Sequence, residues 1–294
     1  MNKGKLIKEY FDRGEILVSP GAFDAMSARI IDKVGFPSVY VTGYGASANL
    51  LGKPDIGLLG MKEMVNHVGH ISDAVEGAVI ADADTGYGNA LNVMRTVREF
   101  EKAGADAIQL EDQTWPKRCG HMEGKSIIPA KEMVGKIKAA VDARRSEDTL
   151  IIARTDAIAV EGYEEAIKRA KMCHEAGADI LFVEAPEDSD QLSEIPKSIE
   201  DAHFMANMIE GGKTPVKSFN ELEEMGYSLV IYPLSTLYIM TKAVKDLMEE
   251  MKLNNTPQSK VSEMASFSEF NEIVGLNEIR KKEEKYTKIT SNKI

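Results

Sequence analysis

Eight short apolar runs, each closing on polar residues, alternate along the chain with helical stretches, and this alternation constrains the fold more than any other feature. The runs cover residues 16–24, 38–45, 78–88, 107–113, 150–157, 180–186, 203–212 and 228–236. Near-continuous hydrophobicity is how strands buried on both faces of a parallel sheet read. The stretches AFDAMSARIIDKV, NVMRTVREFEKA, AKEMVGKIKAAVDARR, YEEAIKRAKMCHEA and STLYIMTKAVKDLMEEM fit helices between them. A weaker repeat supports this: KVGFPSVYVTG, KAGADAIQLED, EAGADILFVEA and EMGYSLVIYPL place a glycine before strands two, four, six and eight. Glycine is the usual residue where a helix ends in the left-handed conformation. A two-repeat period over eight βα units predicts a closed (β/α)8 barrel, a fold of about 250 residues. An open doubly wound sheet would need a phosphate-binding glycine loop after its first strand, and SPGAFDA is not one. The expected organisation is one domain over residues 1–294, with the barrel at about 10–252 and a helical extension at about 253–286. In the extension FSEFNEIVGLNEIRKKEEKY reads as one amphipathic helix, and residues 287–294 as a frayed end.

The 36 basic residues are outnumbered by 47 acidic ones, for a formal charge of −11. Such a chain is a poor candidate for nucleic acid, and an anionic substrate must be held by local cations. MNKGKLIKEYF at the N-terminus holds no apolar segment of signal-peptide kind. No run approaches the roughly 18 apolar residues of a membrane span. The two cysteines, Cys119 and Cys173, form no CxxC, so a zinc ribbon or redox motif is not expected. A reduced, cytoplasmic protein is the expectation.

Polar residues gather where the runs end. Asp82 and Asp84 follow the third, Glu111 and Asp112 the fourth, Arg154, Thr155 and Asp156 the fifth, Glu184 the sixth and Asn207 the seventh. In a barrel these ends share one mouth, where the active site sits. Period-two alternation predicts Asp82 and Asp84 on one side of a strand, with Glu111 on the neighbouring strand and Asp55 joining through water. Such hard oxygen donors suit Mg²⁺, or Mn²⁺. Gly86 and Gly88 let the backbone approach a ligand closely. Cys119 has Lys117, Arg118 and His121 around it in sequence, which predicts a lowered thiol pKa and a working thiol. Cys173 sits in a helical stretch and reads as packing. The connection 114–129, with Gly120 and Gly124, reads as a lid.

DADTGYG, EDQ, TWP, KRCGH, RTDA, VEAP and ANMIEGGKTP, in this order over about residues 5–285, resemble the isocitrate lyase/phosphoenolpyruvate mutase superfamily. Within it they are most similar to the branch that holds the dimethylmalate lyases and the petal death protein. The resemblance implies a barrel whose C-terminal helix is swapped between subunits of a homotetramer. It implies Mg²⁺ at Asp82, Asp84 and Glu111, with Asp55 in support. Thr42, Gly43 and Tyr44 would grip the 2-oxo acid end of a small carboxylate, and Arg154 its oxygens. Gly120, Glu184, Asn207 and Tyr238 would line the rest of the substrate. Cys119 would be the acid, Arg118 and His121 would stabilise developing negative charge, and Tyr40 or Tyr44 would be the base. The implied reaction is C–C cleavage of a 2-hydroxy dicarboxylate, 2,3-dimethylmalate to propionate and pyruvate first. The alternatives are 2-methylisocitrate cleavage and oxaloacetate hydrolysis. Hydrolases of this superfamily place a serine where this chain has Pro233. Methylisocitrate lyases place arginines where it has Tyr238 and Phe267, unless Lys242 supplies the charge. A barrel that only binds ligand would be expected to lack Asp84, Glu111 or Cys119, and all three are present.

Overall fold

The computed structural model describes residues 3–291. Eight parallel strands close into a barrel: β1 Leu17–Ala22, β2 Ser38–Val41, β3 Ala78–Asp82, β4 Ala107–Glu111, β5 Leu150–Thr155, β6 Ile180–Val183, β7 His203–Asn207 and β8 Leu229–Tyr232. The ring closes where β1 meets β8, with Leu17 opposite Leu229 and Pro20 opposite Tyr232. Helices connect the strands, as the βα alternation requires. Gly35, Gly104, Gly177 and Gly226 end helices at φ of 102°, 96°, 98° and 107°, which is why that position repeats as glycine.

Alternation along the strands sorts the core into two layers. Leu17, Ile80, Ile152, Phe182, Met205 and Ile231 face inward. Val39, Val79, Ile108, Ile151, Leu181 and Val230 face the surrounding helices. Both faces are buried, so the runs read as continuously apolar. The same parity, carried one step past the last apolar residue, turns Thr42, Asp82, Glu111, Arg154, Glu184 and Asn207 toward the C-terminal mouth. At the opposite end, helix Gly4–Asp12 closes the barrel with Ile7, which is fully buried beside the first inward residues of the strands. That helix precedes the first strand, outside the inter-strand stretches expected to be helical.

All eight strands end before their expected run ends, and in two the backbone shows why. The second ends at Val41 because Thr42 caps a helix, Gly43–Leu51, its side chain accepting the Gly45 N–H. The third ends at Asp82 because Asp84, Gly86, Tyr87 and Gly88 take φ of 49°, 81°, 58° and 145°. No strand accommodates such angles.

The chain divides into two compact units, Met1–Leu237 and Tyr238–Ile294. The division falls inside helix Ser235–Asn254, earlier than the expected barrel end near 252. The second unit continues with a short helix at Gln258–Glu263 and with helices Phe267–Ile273 and Leu276–Ser291. The single helix expected from residue 267 is therefore two, separated at Gly275, whose φ is 74°. The expected frayed end is helical as far as Ser291, and residues 292–294 lie outside the described ones. Among the described residues, no helix is long and apolar enough to cross a membrane.

Candidate active site

The mouth residues meet in one cavity. Tyr40, Thr42, Tyr44, Asp55, Asp82 and Lys117 line one side of it. Cys119, Gly120, Arg154, Glu184 and Asn207 line another, and Ile209, Ile231, Pro233 and Leu234 make an apolar wall.

Behind the first side lies a buried cluster of carboxylates. Lys117 Nζ stands 2.7 Å from Asp55 Oδ2 and 2.7 Å from Asp84 Oδ1. Arg154 Nε is 3.4 Å from Glu111 Oε2. The backbone N–H of Asp84 donates to Asp82 Oδ1 at 3.0 Å. Asp84 reaches this cluster from a left-handed turn, so the strand alternation expected for Asp82 and Asp84 is corrected: the turn, not the pleat, aims the second carboxylate. Gly43 must lack a side chain here, because a Cβ would sit 2.7 Å from Asp82 Oδ2. Burial pushes the Asp84 carboxyl up to about 7, with Lys117 pulling it down and Asp82 and Asp55 pushing it up. Glu111 is raised by burial as well, against the pull of Arg154 and Lys117.

This donor set fits a divalent cation. Among the described residues, the cluster of Asp55, Asp82, Asp84 and Glu111 is ion-paired with two cations, Lys117 and Arg154, an excess of two negative charges when all are ionised. Lys117 Nζ answers Asp84 Oδ1 directly, as an ion pair at 2.7 Å. Glu111 Oε1 is buried with no hydrogen-bond partner among the described residues. No three acidic, thiol or imidazole side chains among those residues form a ready cage. Mg²⁺ does not ask for one, since it is usually held by one or two carboxylates and keeps several waters. Lys117 was not singled out as a site residue from sequence. Lys117→Met would leave Asp55 and Asp84 buried without their cation. It is expected to lower stability by about 3–5 kcal/mol, read by urea denaturation in EDTA, and less in excess Mg²⁺. An unchanged midpoint in EDTA would show that the cluster does not depend on the ammonium.

Arg154 is held from the side. Its Nε and Nη2 donate to Asp156 Oδ2 and Oδ1 at 2.9 and 3.0 Å. Lys125, from the connection 114–129, donates to Asp156 Oδ1 at 3.0 Å and to the Gly120 carbonyl. The Lys125 side chain is only 2% exposed, so this connection is folded down over the cavity. Burial by itself would raise the Asp156 carboxyl; Arg154 and Lys125 outweigh it and hold it at about 2. At the far end, Asn207 Nδ2 donates to both oxygens of Glu184 at 3.2 Å. Gly120 passes so close that a Cβ would stand 2.0 Å from Glu184 Oε1.

Cys119 differs from its expected state. Burial pushes its thiol up to about 11, opposed by the backbone N–H of His121 and, less strongly, by Arg154. The three cations that flank it in sequence do not act on it as charges. Lys117 is committed to Asp55 and Asp84. Arg118 is exposed, its guanidinium donating to the Glu123 carbonyl at 3.0 Å. His121 is driven toward the neutral form by burial. The thiol therefore carries its proton at neutral pH, which suits an acid. Arg118 is not brought to the cavity. Tyr238 is not among its lining residues either; it is 40% exposed and lies in the second unit. Cys173 is buried in helix Tyr163–Glu175, as its packing reading expects. The Tyr40 hydroxyl donates to Gln109 Oε1 at 3.1 Å, and Gln109 Nε2 donates to Asp82 Oδ1 at 3.3 Å. Burial, then Asp82, raises that phenol well above its ordinary range, so it is a poor base. Gln109 shares strand parity with Glu111, the one signal that would have found it.

The family model described as phosphoenolpyruvate phosphomutase matches residues 7–252. A 2,3-dimethylmalate lyase of Eubacterium barkeri is 50% identical over 286 residues, 97% of this chain and 99% of its own length. A chloroplastic carboxyvinyl-carboxyphosphonate phosphorylmutase of Arabidopsis thaliana is 45% identical over 278 residues, 93% of this chain and 82% of its own. The crystal structure of a 2,3-dimethylmalate lyase, a member of the PEP mutase/isocitrate lyase superfamily, superposes with a TM-score of 0.92 at 32% identity. That superposition covers 97% of this chain and 95% of the other.

Proposed function

Since the chain belongs to the phosphoenolpyruvate phosphomutase family, in the PEP mutase/isocitrate lyase superfamily, we propose that it is a carbon–carbon lyase that splits 2,3-dimethylmalate into pyruvate and propionate. The observation that carries this reading is the proton-bearing thiol of Cys119, on the same cavity as Arg154 and the carboxylate cluster. Breaking a C–C bond leaves a carbon that needs a proton; moving a phosphoryl group does not. The thiol thus favours cleavage over the phosphorus chemistry named for the Arabidopsis relative.

Arg154 and the start of helix Gly43–Leu51 offer positive charge to the carboxylate and C2 oxygen of a 2-hydroxy acid. Mg²⁺, held by Asp82, Asp84 and Glu111 with Asp55 in support, would lower the pKa of the C2 hydroxyl and steady the product oxygens. Tyr44 lines the cavity and is the better-placed base, because the Tyr40 proton is given to Gln109. As the hydroxyl proton leaves, the C2–C3 bond breaks and its electron pair passes to the departing acid as an enediolate. Cys119 Sγ–H gives C3 its proton. The folded connection 114–129 keeps water from competing for that carbon.

The apolar wall of Ile209, Ile231, Pro233 and Leu234 suits methyl groups, and the buried Glu184 beside it disfavours a third carboxylate. It stands beside the argument from Tyr238 and Phe267, where aromatic side chains occupy positions that the resemblance gives to arginines in methylisocitrate lyases. 2-Methylisocitrate is expected to be poorer by at least about tenfold in kcat/KM, about 1.4 kcal/mol of transition-state binding. Pro233 offers no hydroxyl to a hydrated ketone, so oxaloacetate should turn over more slowly than every substituted malate. Pyruvate release across substituted malates and 2-methylisocitrate, with acetate release from oxaloacetate, tests both. A faster 2-methylisocitrate would transfer the assignment to that substrate, and a fastest oxaloacetate would make the chain a hydrolase.

The exposed apolar side chains Ile239, Met248, Leu253 and Phe267 of the second unit support packing against further copies, in a homotetramer with exchanged helices. Two free cysteines support a reducing compartment, the cytoplasm.

A further inference from the structure

The imidazole of His121 is gripped from behind by backbone. Its Nδ1 lies 3.0 Å from the backbone nitrogen of Lys213, whose N–H donates to it. A ring nitrogen that accepts carries no proton, so neutral His121 holds its proton on Nε2. That nitrogen is buried 3.5 Å from Oε1 of Glu184, itself a cavity-lining residue, and it has no hydrogen-bond partner among the described residues. Gly212 is what admits the ring. A Cβ there would stand 2.7 Å from Nδ1 and 2.9 Å from Cε1. A second proton on Nδ1 would point at the Lys213 N–H, so the imidazolium is disfavoured by geometry as well as by burial.

We infer that the Gly212–Lys213 backbone is a positioning element that fixes His121 as a neutral Nε2–H donor aimed at the departing half of the substrate. The identity of that half rests on the lyase reading; the tautomer does not. The donor meets a carboxylate oxygen of the leaving acid, where charge grows as the C2–C3 bond breaks. His121 transfers no proton in this scheme. The proton on C3 comes from Cys119, and the His121 N–H only strengthens its hydrogen bond.

Two measurements on the full-length enzyme test this. In protein labelled with ¹⁵N-histidine, with the ring resonances assigned through His121→Gln, His121 is expected at pH 7 as the Nε2–H tautomer. An Nδ1–H tautomer or an imidazolium would overturn the clamp. Gly212→Ala should mix the tautomers and lower kcat by about tenfold or more, with a smaller change in KM. Retained tautomer and kcat in that variant would also overturn it, and if the variant does not fold, the wild-type spectrum still decides. The second measurement separates donation from proton transfer. His121→Gln keeps an N–H at the reach of Nε2 but has no titrating proton. It should stay within about tenfold of wild-type kcat, while His121→Ala falls by about 10²-fold. Equal losses in both variants would make His121 a proton carrier and refute the donor role. Should the wild type cleave no substituted malate, the lyase reading fails and the spectrum still answers for the tautomer.

Discussion

Removal of divalent cations is expected to abolish turnover: dialysis against EDTA should leave no measurable pyruvate release, and Mg²⁺ or Mn²⁺ should restore it. The reason is charge. Four buried carboxylates share the field of one ammonium and one guanidinium, and Glu111 Oε1 is without a hydrogen bond among the described residues. Lys117 and Arg154 keep the cluster folded but do not neutralise it. The C2 hydroxyl of a 2-hydroxy acid is a very weak acid, and neither of these pre-committed cations replaces a divalent ion at its oxygen. Mn²⁺ binding, followed by electron paramagnetic resonance, should weaken in Asp84→Asn while the fold persists. Full activity in metal-free buffer would sink the assignment of the cluster.

Cys119→Ser should lower kcat by about 10²–10⁴-fold, the usual contribution of a general acid. Serine keeps the shape, but its hydroxyl is a far weaker acid than a thiol. Because burial sets the thiol at about 11, the acid form persists through neutral pH and is lost only as pH rises through that value. The kcat profile should therefore show no alkaline limb from Cys119 around neutrality. Alkylation at pH 7 should be slow, since the thiolate is the nucleophile, and substrate should slow it further. Unchanged turnover in the serine variant would assign Cys119 to packing.

The barrel was legible because burial on both strand faces writes eight apolar runs into the sequence, and because helix ends at Gly35, Gly104, Gly177 and Gly226 demand a positive φ. Most of the cavity was legible for the same reason, since strand parity carries Asp82, Glu111, Arg154, Glu184 and Asn207 to one mouth. What sequence did not give is set by irregular backbone. Asp84 is aimed by a left-handed turn, and the segment 116–121 sends neighbouring side chains apart: Lys117 into the carboxylates, Arg118 to solvent, Cys119 into the cavity. Adjacency in sequence predicted a thiol bathed in cations; three-dimensional placement gives one screened from them. The break at Gly275 was missed because the helical pattern resumes directly after it, and only the φ of 74° there shows the interruption.

Asp156 is shared by Arg154 and Lys125, and the sharing makes the covering loop and the arginine proposed to hold substrate parts of one equilibrium. With Lys125 in place, part of the Asp156 charge is answered from above, and Arg154 has more of its field to spend on a bound carboxylate. When the loop lifts, Lys125 leaves and Asp156 turns its whole charge on Arg154, loosening that grip at the moment the cavity is uncovered. By reciprocity, a carboxylate that draws on Arg154 must strengthen the hold of Asp156 on Lys125, by the same free energy. A full cavity thus favours its own closure, and an emptying one its own opening, through a single aspartate that need not touch the substrate.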